Sequence, residues 1–442
     1  MVRKASRPKV LDLFAGAGGL SLGFEQAGFD VSAAVELDPV HAAVHKFNFP
    51  ECEIFPVSIS ELSGSEILKR MGLAKGEIDV VCGGAPCQGF SLIGQRALDD
   101  PRNSLVKEFV RIVDELKPSY FLFENVKGLT VGKHKKFLDE IIGAFEQIGY
   151  TVQMPWRVLN AVEFGVPQDR QRLILIGALK GKKLPAYPKP ITRAAGSTGK
   201  ELPEGPTCYD ALADLPDAES FAALCNVDEV QTRQWGKPSS YARRLRCLEN
   251  DSWAFGHPRE WNPTTLTSSS RTDHTEISRR RFVETEPGSV EPVSRFFKLA
   301  KSGVSNTLRA GTDSARGAFT SPRPIHYRFA RCVTVREMAR LHSFPDWFRF
   351  HETKWHGARQ IGNSVPPFLA RAVASEIAAA MGYKPRTSER SVALGDTALL
   401  RMSVAEAATF WGVDNPIGQR NKKSGAKKRK QADIEAERLA VL

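Results

Sequence analysis

Val10-Leu-Asp-Leu-Phe14 runs straight into Ala15-Gly-Ala-Gly-Gly-Leu20, and the next apolar run ends at Glu36, 20 residues after Gly16. A strand-like run that feeds a glycine-rich turn and then a helix opens a parallel α/β sheet. Glycines let the backbone turn tightly against a ligand, and the helix N-terminus favours a negative group. A carboxylate after the second strand takes both ribose hydroxyls of a nucleotide. The chain has Ser21 where G-x-G-x-x-G requires a third glycine, which weakens a dinucleotide reading and favours S-adenosylmethionine. A turn that binds nothing is the plain alternative, and Glu36 at this offset argues against it.

Outward from this stretch the pattern repeats. Strand-like runs occupy residues 78–83, 120–124, 151–159 and 172–177, with helical periodicity at 20–27, 104–116 and 136–148. This alternation predicts a doubly wound, Rossmann-like α/β sheet of parallel βαβ units. After Gly177 the periodicity fades, and residues 231–330 are rich in Arg, Ser, Thr and Gly, with basic clusters at 241–246 and 278–281. Helical patterns return at 335–342 and 367–381. The expected organisation is a catalytic and cofactor-binding domain at 1–180, a smaller irregular domain at 181–330, completing segments at 331–385 and a basic tail at 386–442. Within that tail, residues 402–412 read as a small amphipathic helix that packs onto the main domain, and the lysine-rich run 420–430 as a solvated segment.

Composition narrows the function classes. Of 442 residues, 62 are Lys or Arg and 50 Asp or Glu, a net +12, and 42% are hydrophobic, enough for a large core. Neither an 18-residue apolar run nor a signal-peptide pattern is visible, so a cytoplasmic protein without a membrane partner is expected. The seven cysteines form no C-x-x-C pair, so neither a disulfide framework nor a metal site is expected, and a special cysteine is more plausibly reactive. The excess positive charge lies mainly at 231–330 and in the tail, which favours a nucleic-acid partner.

The run Val80-Val-Cys-Gly-Gly-Ala-Pro-Cys-Gln-Gly-Phe-Ser91 leaves a strand for a Gly- and Pro-rich loop that presents Cys87, and a thiolate there is a strong nucleophile. Phe121-Leu-Phe-Glu-Asn-Val-Lys127 places Glu124 at a strand end. In Gln168-Asp-Arg-Gln-Arg172 the alternation puts Arg170 and Arg172 on one strand face. Each alone has an ordinary reading: a buried small thiol, a helix cap, two surface charges. Their coincidence at the carboxyl edge of one sheet favours a reactive site.

These residues resemble the DNA (cytosine-5) methyltransferase family. The ordered motifs are Phe14-Ala-Gly-Ala-Gly-Gly19, Pro86-Cys-Gln88, Glu124-Asn-Val126, Gln168-Asp-Arg-Gln-Arg172, Thr334-Val-Arg-Glu-Met-Ala-Arg340 with Phe344-Pro-Asp346, and Gly362-Asn-Ser-Val-Pro366. They span about residues 10–380. The resemblance implies a target-recognition domain between the Arg170 and Thr334 motifs, and methyl transfer from S-adenosylmethionine to carbon 5 of a cytosine flipped out of a specific duplex DNA sequence. It implies Cys87 as the nucleophile at carbon 6 and Glu124 as the group that bonds ring N3 and the amine. Arg170 and Arg172 would hold the base's carbonyl oxygen, a phosphate or Glu124. For the cofactor it implies Phe14, Gly16, Gly18, Leu20, Glu36, Leu37, Pro86, Asn363 and Val365, with Leu105 as further lining. Gln88, Ser91, Thr307, Arg309 and Gly311 would touch DNA, with Thr307 on a phosphate, and the segment 88–102 would close over the base. Ser58 stands where the family has an acid for the adenine amine. The implied setting is a monomer in a restriction-modification system with a cognate endonuclease, or an orphan enzyme. An RNA-directed relative and a catalytically silent DNA-binding protein are the alternatives. The large basic segment argues against the first, and intact Cys87 and Glu124 against the second.

Overall fold

The computed structural model describes residues 6–86, 103–132, 134–198, 201–249, 254–312 and 320–414. Cys87, Gln88, Ser91, the segment 88–102 and the lysine-rich run 420–430 lie outside them. The opening run forms β1 (Lys9–Leu13), followed by α1 (Gly19–Gln26), β2 (Asp30–Val35), α2 (Pro39–Asn48), β3 (Glu53–Phe55), α3 (Gly64–Met71) and β4 (Val80–Gly83). Next come α4 (Ser104–Leu116), β5 (Tyr120–Val126), α5 (His134–Gln147), β6 (Tyr150–Val152), β7 (Arg157–Asn160) and β8 (Gln171–Leu179). One mixed sheet results, in the order β3-β2-β1-β4-β5-β8-β6, with β7 also on β8. Strand alternation sends Leu11 and Leu13 into a core shared with α3, α4 and α5, and Val10 into a second core with α1 and α2.

Two features differ from the sequence expectation. Strand β8 is antiparallel to β5, β6 and β7, so the sheet is not built of parallel units throughout. A buried strand reads as a continuous apolar run in either direction, so periodicity does not reveal its polarity. The run 151–159 is two strands, because Pro155 between them has no N–H to give to the ladder.

The intervening region carries little regular structure: α6 (Cys208–Leu212), β9 (Val230–Gln231), α7 (Ser240–Leu245), β10 (Arg259–Glu260), β11 (Thr265–Leu266) and α8 (Glu276–Glu284). It is followed by α9 (Val335–Leu341), α10 (Lys354–Asn363) and α11 (Pro367–Ala380), then β12 (Val392–Ala393) and α12 (Val404–Trp411). The basic clusters at 241–246 and 278–281 are largely engaged within the chain. Arg246 pairs with Asp214, Arg279 with Glu219, Arg281 with Glu291, and Arg243 with Glu249.

The Thr334 motif is a charge lock between this region and the rest. Thr334 and Glu337 cap α9 reciprocally, Arg331 bonds both Glu337 oxygens at 2.8 Å, and fully buried Arg340 bonds Asp346 at 2.6 and 2.7 Å and Asp214 at 3.0 Å. Burial alone would push the Glu337 carboxyl up, but the Arg331 guanidinium holds it down at about 2. The C-terminal segment folds back on both preceding parts. β12 pairs with β10 of the intervening region, while Gly395 N–H donates to Phe47 O at 2.9 Å and the Trp411 indole to Pro39 O at 3.1 Å, both in the first domain. Helix α12 is the small helix expected in the tail, with Ala407 and Ala408 buried. No helix of the described residues is long and apolar enough to cross a membrane.

Candidate active site

The strand order reverses between β1 and β4, and in open α/β sheets the crevice at the carboxyl ends of such a pair takes the ligand. The turns after β1 and β4 both open there. After β1 the backbone enters the left-handed region at Phe14 (φ 59°), Gly16 (φ 56°) and Gly18 (φ 102°), and Gly18 caps α1. Glu36, just past β2, locks the turn: Oε2 accepts from Gly16 N at 2.7 Å and Oε1 from Asp38 N at 2.9 Å. Burial pushes its carboxyl above the ordinary range, and Asp38 nearby adds to this. Leu37 is exposed beside it, Leu20 is buried at the start of α1, and Leu105 is partly buried at the start of α4. The Gly362 motif reaches the same turn from the far end of the chain. Gly19 lies so close that a Cβ there would sit 2.6 Å from Val365 O, and Asn363 is exposed at the end of α10. A carboxylate fixed against a glycine turn with open backbone beside it suits the ribose and methionine portions of S-adenosylmethionine. Ser58 caps the short turn Ile59–Glu61 with its hydroxyl.

β4 ends at Gly83, and the chain passes Gly84 to buried Ala85 and exposed Pro86, at the edge of the described residues before Cys87. Two contacts from β5 set this turn. The Asn125 side chain donates to Ala85 O at 3.0 Å, and the Glu124 carboxylate lies directly over Gly84, where a Cβ would come 2.5 Å from Oε2. Only glycine leaves Glu124 its place. Glu124 is 9% exposed and pairs with Arg172, whose Nε lies 2.7 Å from Oε1. The structure therefore brings Glu124, Arg172 and the Pro86 turn together at one sheet edge. Asn125 belongs to a quoted motif, yet nothing in its spacing singled it out as the residue that fastens the neighbouring loop.

Arg170 departs from the expectation that it shares a face and a target with Arg172. It precedes β8, is 1% exposed, and donates to Leu308 O at 3.0 Å, Gly362 O at 2.8 Å and Ser364 O at 2.9 Å. It straps three backbone carbonyls together. Gln168 extends the strap: it donates to Leu341 O, meets His342 Nδ1 at 2.9 Å and accepts from Leu308 N at 3.2 Å. The Thr307 hydroxyl donates to Asp169 O at 2.7 Å, which ties this segment to the stretch before β8. Gly311 (φ 75°) allows the chain to pass against Thr320, and Arg309 is exposed. Residues 307 and 308 are thus clamped to the sheet edge that carries Glu124. No group of three or more His, Cys, Asp or Glu able to hold a metal occurs among the described residues.

Comparison with known proteins agrees with this arrangement. The family model "C-5 cytosine-specific DNA methylase" matches residues 8–379. The chain is 58% identical over 412 residues to the Type II methyltransferase M.XorII of Xanthomonas oryzae pv. oryzae, covering 93% of this chain and 94% of that protein. It is 33% identical to M1.HphI of Haemophilus parahaemolyticus, over 83% and 86% of the two chains. A crystal structure described as a DNA modification methyltransferase encoded within an E. coli prophage superposes with a TM-score of 0.69 at 31% identity, over 85% of this chain and 99% of that one. Motif order, sheet edge and these similarities converge: the chain belongs to the C-5 cytosine-specific DNA methylase family and is a DNA cytosine-5 methyltransferase.

Proposed function

We propose that the chain methylates carbon 5 of a cytosine flipped out of a specific duplex DNA sequence, through a covalent adduct with Cys87. The carrying observation is the Glu124–Arg172 pair seated over Gly84, next to the turn that Asn125 fastens and that leads to Cys87. Carbon 5 of cytosine is a weak nucleophile. The Cys87 thiolate forms a carbon–sulfur bond at carbon 6, and the electron pair of the 5,6 double bond makes carbon 5 able to take a methyl group. Glu124 bonds ring N3 and the exocyclic amine as charge develops, and Arg172 keeps that carboxylate in place. The carbon 5 proton then leaves to a base, for which water suffices, and the thiolate is expelled as the double bond reforms. S-adenosylmethionine, held by Phe14, Gly16, Gly18, Leu20, Glu36, Leu37, Pro86, Asn363 and Val365, supplies the methyl group when bound. Extrusion of the base costs a few kcal/mol, which contacts by the recognition region offset. Arg170 and Gln168 act as positioning residues that hold the recognition segment against this edge.

The names of the relatives support a type II restriction-modification setting; a cognate endonuclease acting at the same site, a monomeric enzyme and a cytoplasmic location belong to the same proposal. Base-resolution methylation sequencing of a methylation-free bacterial host that expresses the chain tests the reading. It predicts 5-methylcytosine at one short sequence, whereas methyl transfer to tRNA with unmodified DNA would overturn it.

A further inference from the structure

Residues 290–297 form a hairpin closed by an antiparallel bridge between Val290 and Phe297. A buried carboxylate stiffens it: Glu291, 1% exposed, accepts from Val293 N at 3.1 Å and Ser294 N at 2.5 Å and faces Arg281. Its backbone closes the loop from both sides, with Glu291 N donating to Phe296 O and Arg295 N to Glu291 O. Phe296 packs on a small core of Phe282, Ile325 and Cys332. At the tip, Arg295 sits in the left-handed region, at φ 62°. A side chain there is unfavourable and persists only where its surroundings enforce it, and such outliers gather at functional positions.

A cleft of about 80 Å³ separates this hairpin from residues 306–309, the segment clamped by Gln168 and Arg170 at the Glu124 edge of the sheet. Three arginines and no carboxylate line it. The Arg323 guanidinium is bonded to Val333 O and Thr272, whereas Arg295 and Arg309 are exposed and their guanidinium groups make no hydrogen bond or ion pair among the described residues. The clusters at 241–246 and 278–281 contrast with them, since most of their arginines are paired internally.

We propose that Arg295 is a specificity-determining residue that reads a guanine of the target duplex through two hydrogen bonds, to O6 and N7. Base reading needs a planar fork presented from a fixed backbone, and the stiffened hairpin fixes the backbone at Arg295. The assignment rests on the DNA-methylation reading, and the wild-type chain separates the two. No methylated sequence at all in a methylation-free host refutes that reading, whereas a wild-type map left unchanged by Arg295 substitution refutes this one. On duplexes carrying the mapped site, Arg295→Ala and Arg295→Gly should lower kcat/KM roughly 5- to 150-fold, which is about 1–3 kcal/mol. Both variants should also accept duplexes in which one particular guanine is replaced. 7-Deazaguanine at that position should reproduce the loss with the wild-type chain, and KM for the cofactor should not move. Glycine accepts the φ of this position freely, so Arg295→Gly keeps or raises folding stability and isolates recognition from folding. Weakening that is uniform across all sequences, with the salt dependence reduced by about one phosphate, would show a backbone contact and overturn the proposal.

Discussion

Replacing Gly84 with alanine tests how closely the reactive loop and Glu124 depend on each other. The added Cβ would lie 2.5 Å from Glu124 Oε2, so the carboxylate must retreat by about 0.9 Å to regain an ordinary contact near 3.4 Å. Gly84 is not among the residues with positive φ, so alanine fits its backbone and the disturbance is confined to that contact. Retreat is resisted by Arg172, 2.7 Å from the other oxygen. A displacement of about 1 Å at a reacting centre costs on the order of 100-fold in rate, or about 2.7 kcal/mol. Single-turnover transfer of labelled methyl groups to DNA should therefore slow by about two orders of magnitude. Cofactor binding by calorimetry and the folded circular dichroism signal should be unchanged. In a Glu124→Gln background the same substitution should add much less, because its effect runs through that side chain. A Gly84→Ala rate within about twofold of wild type would refute the reasoning, as would fully additive losses in the double variant.

Other expectations follow from the same geometry. Glu36→Ala removes the acceptor of the Gly16 and Asp38 N–H groups, so cofactor affinity should fall roughly 10- to 100-fold with DNA affinity nearly constant; equal losses by calorimetry would contradict its role. Glu337 has its folded pKa held at about 2 against an ordinary 4.5, so its stabilisation, on the order of 3 kcal/mol, is present above pH 4.5 and lost as pH falls toward 2. Glu337→Gln should accordingly lower stability to urea at pH 7, with the gap to wild type narrowing in acid; a gap that stays constant with pH would exclude this origin. Arg170→Met leaves the Leu308, Gly362 and Ser364 carbonyls without their donor, at about 1–3 kcal/mol each where they stay unpaired, so the urea midpoint should fall clearly. An unchanged midpoint would show that the strap carries no stability.

The parts of this molecule readable in the sequence are those in which local pattern and chemistry coincide. The β1 turn, with Gly16, Gly18 and Glu36, announces itself because one short stretch holds strand, turn and carboxylate. Glu124 and Arg172 lie at a strand end and a strand start, and the β5–β8 pairing brings them together, Val126 lying opposite Arg172. What was not legible depends on partners distant in the chain. The direction of β8 is set by packing and not by its own apolar run. Helix α2 begins with Pro39 capped by Asp38, and its weak apolar pattern is stabilised from outside, by Trp411 and Gly395 of the C-terminal segment. Arg170 reads as a twin of Arg172 by spacing alone, yet one residue lies before the strand and the other within it, so their guanidinium groups serve different partners. The internal pairing of the basic clusters is invisible in the sequence because carboxylate partners such as Asp214 and Glu219 lie tens of residues away. The arginines left exposed could be found only after that pairing was known.

The central claim, covalent methyl transfer to cytosine through Cys87, is tested most directly with a duplex that carries 5-fluorocytosine at the mapped target. Fluorine cannot leave as a proton does, so the carbon–sulfur bond cannot be released after methyl transfer. The account predicts a denaturant-resistant protein–DNA complex that requires S-adenosylmethionine, maps by mass spectrometry to Cys87 and is abolished in Cys87→Ala. An enzyme that methylates the normal duplex yet forms no such complex, or a Cys87→Ala variant that retains activity, would contradict it.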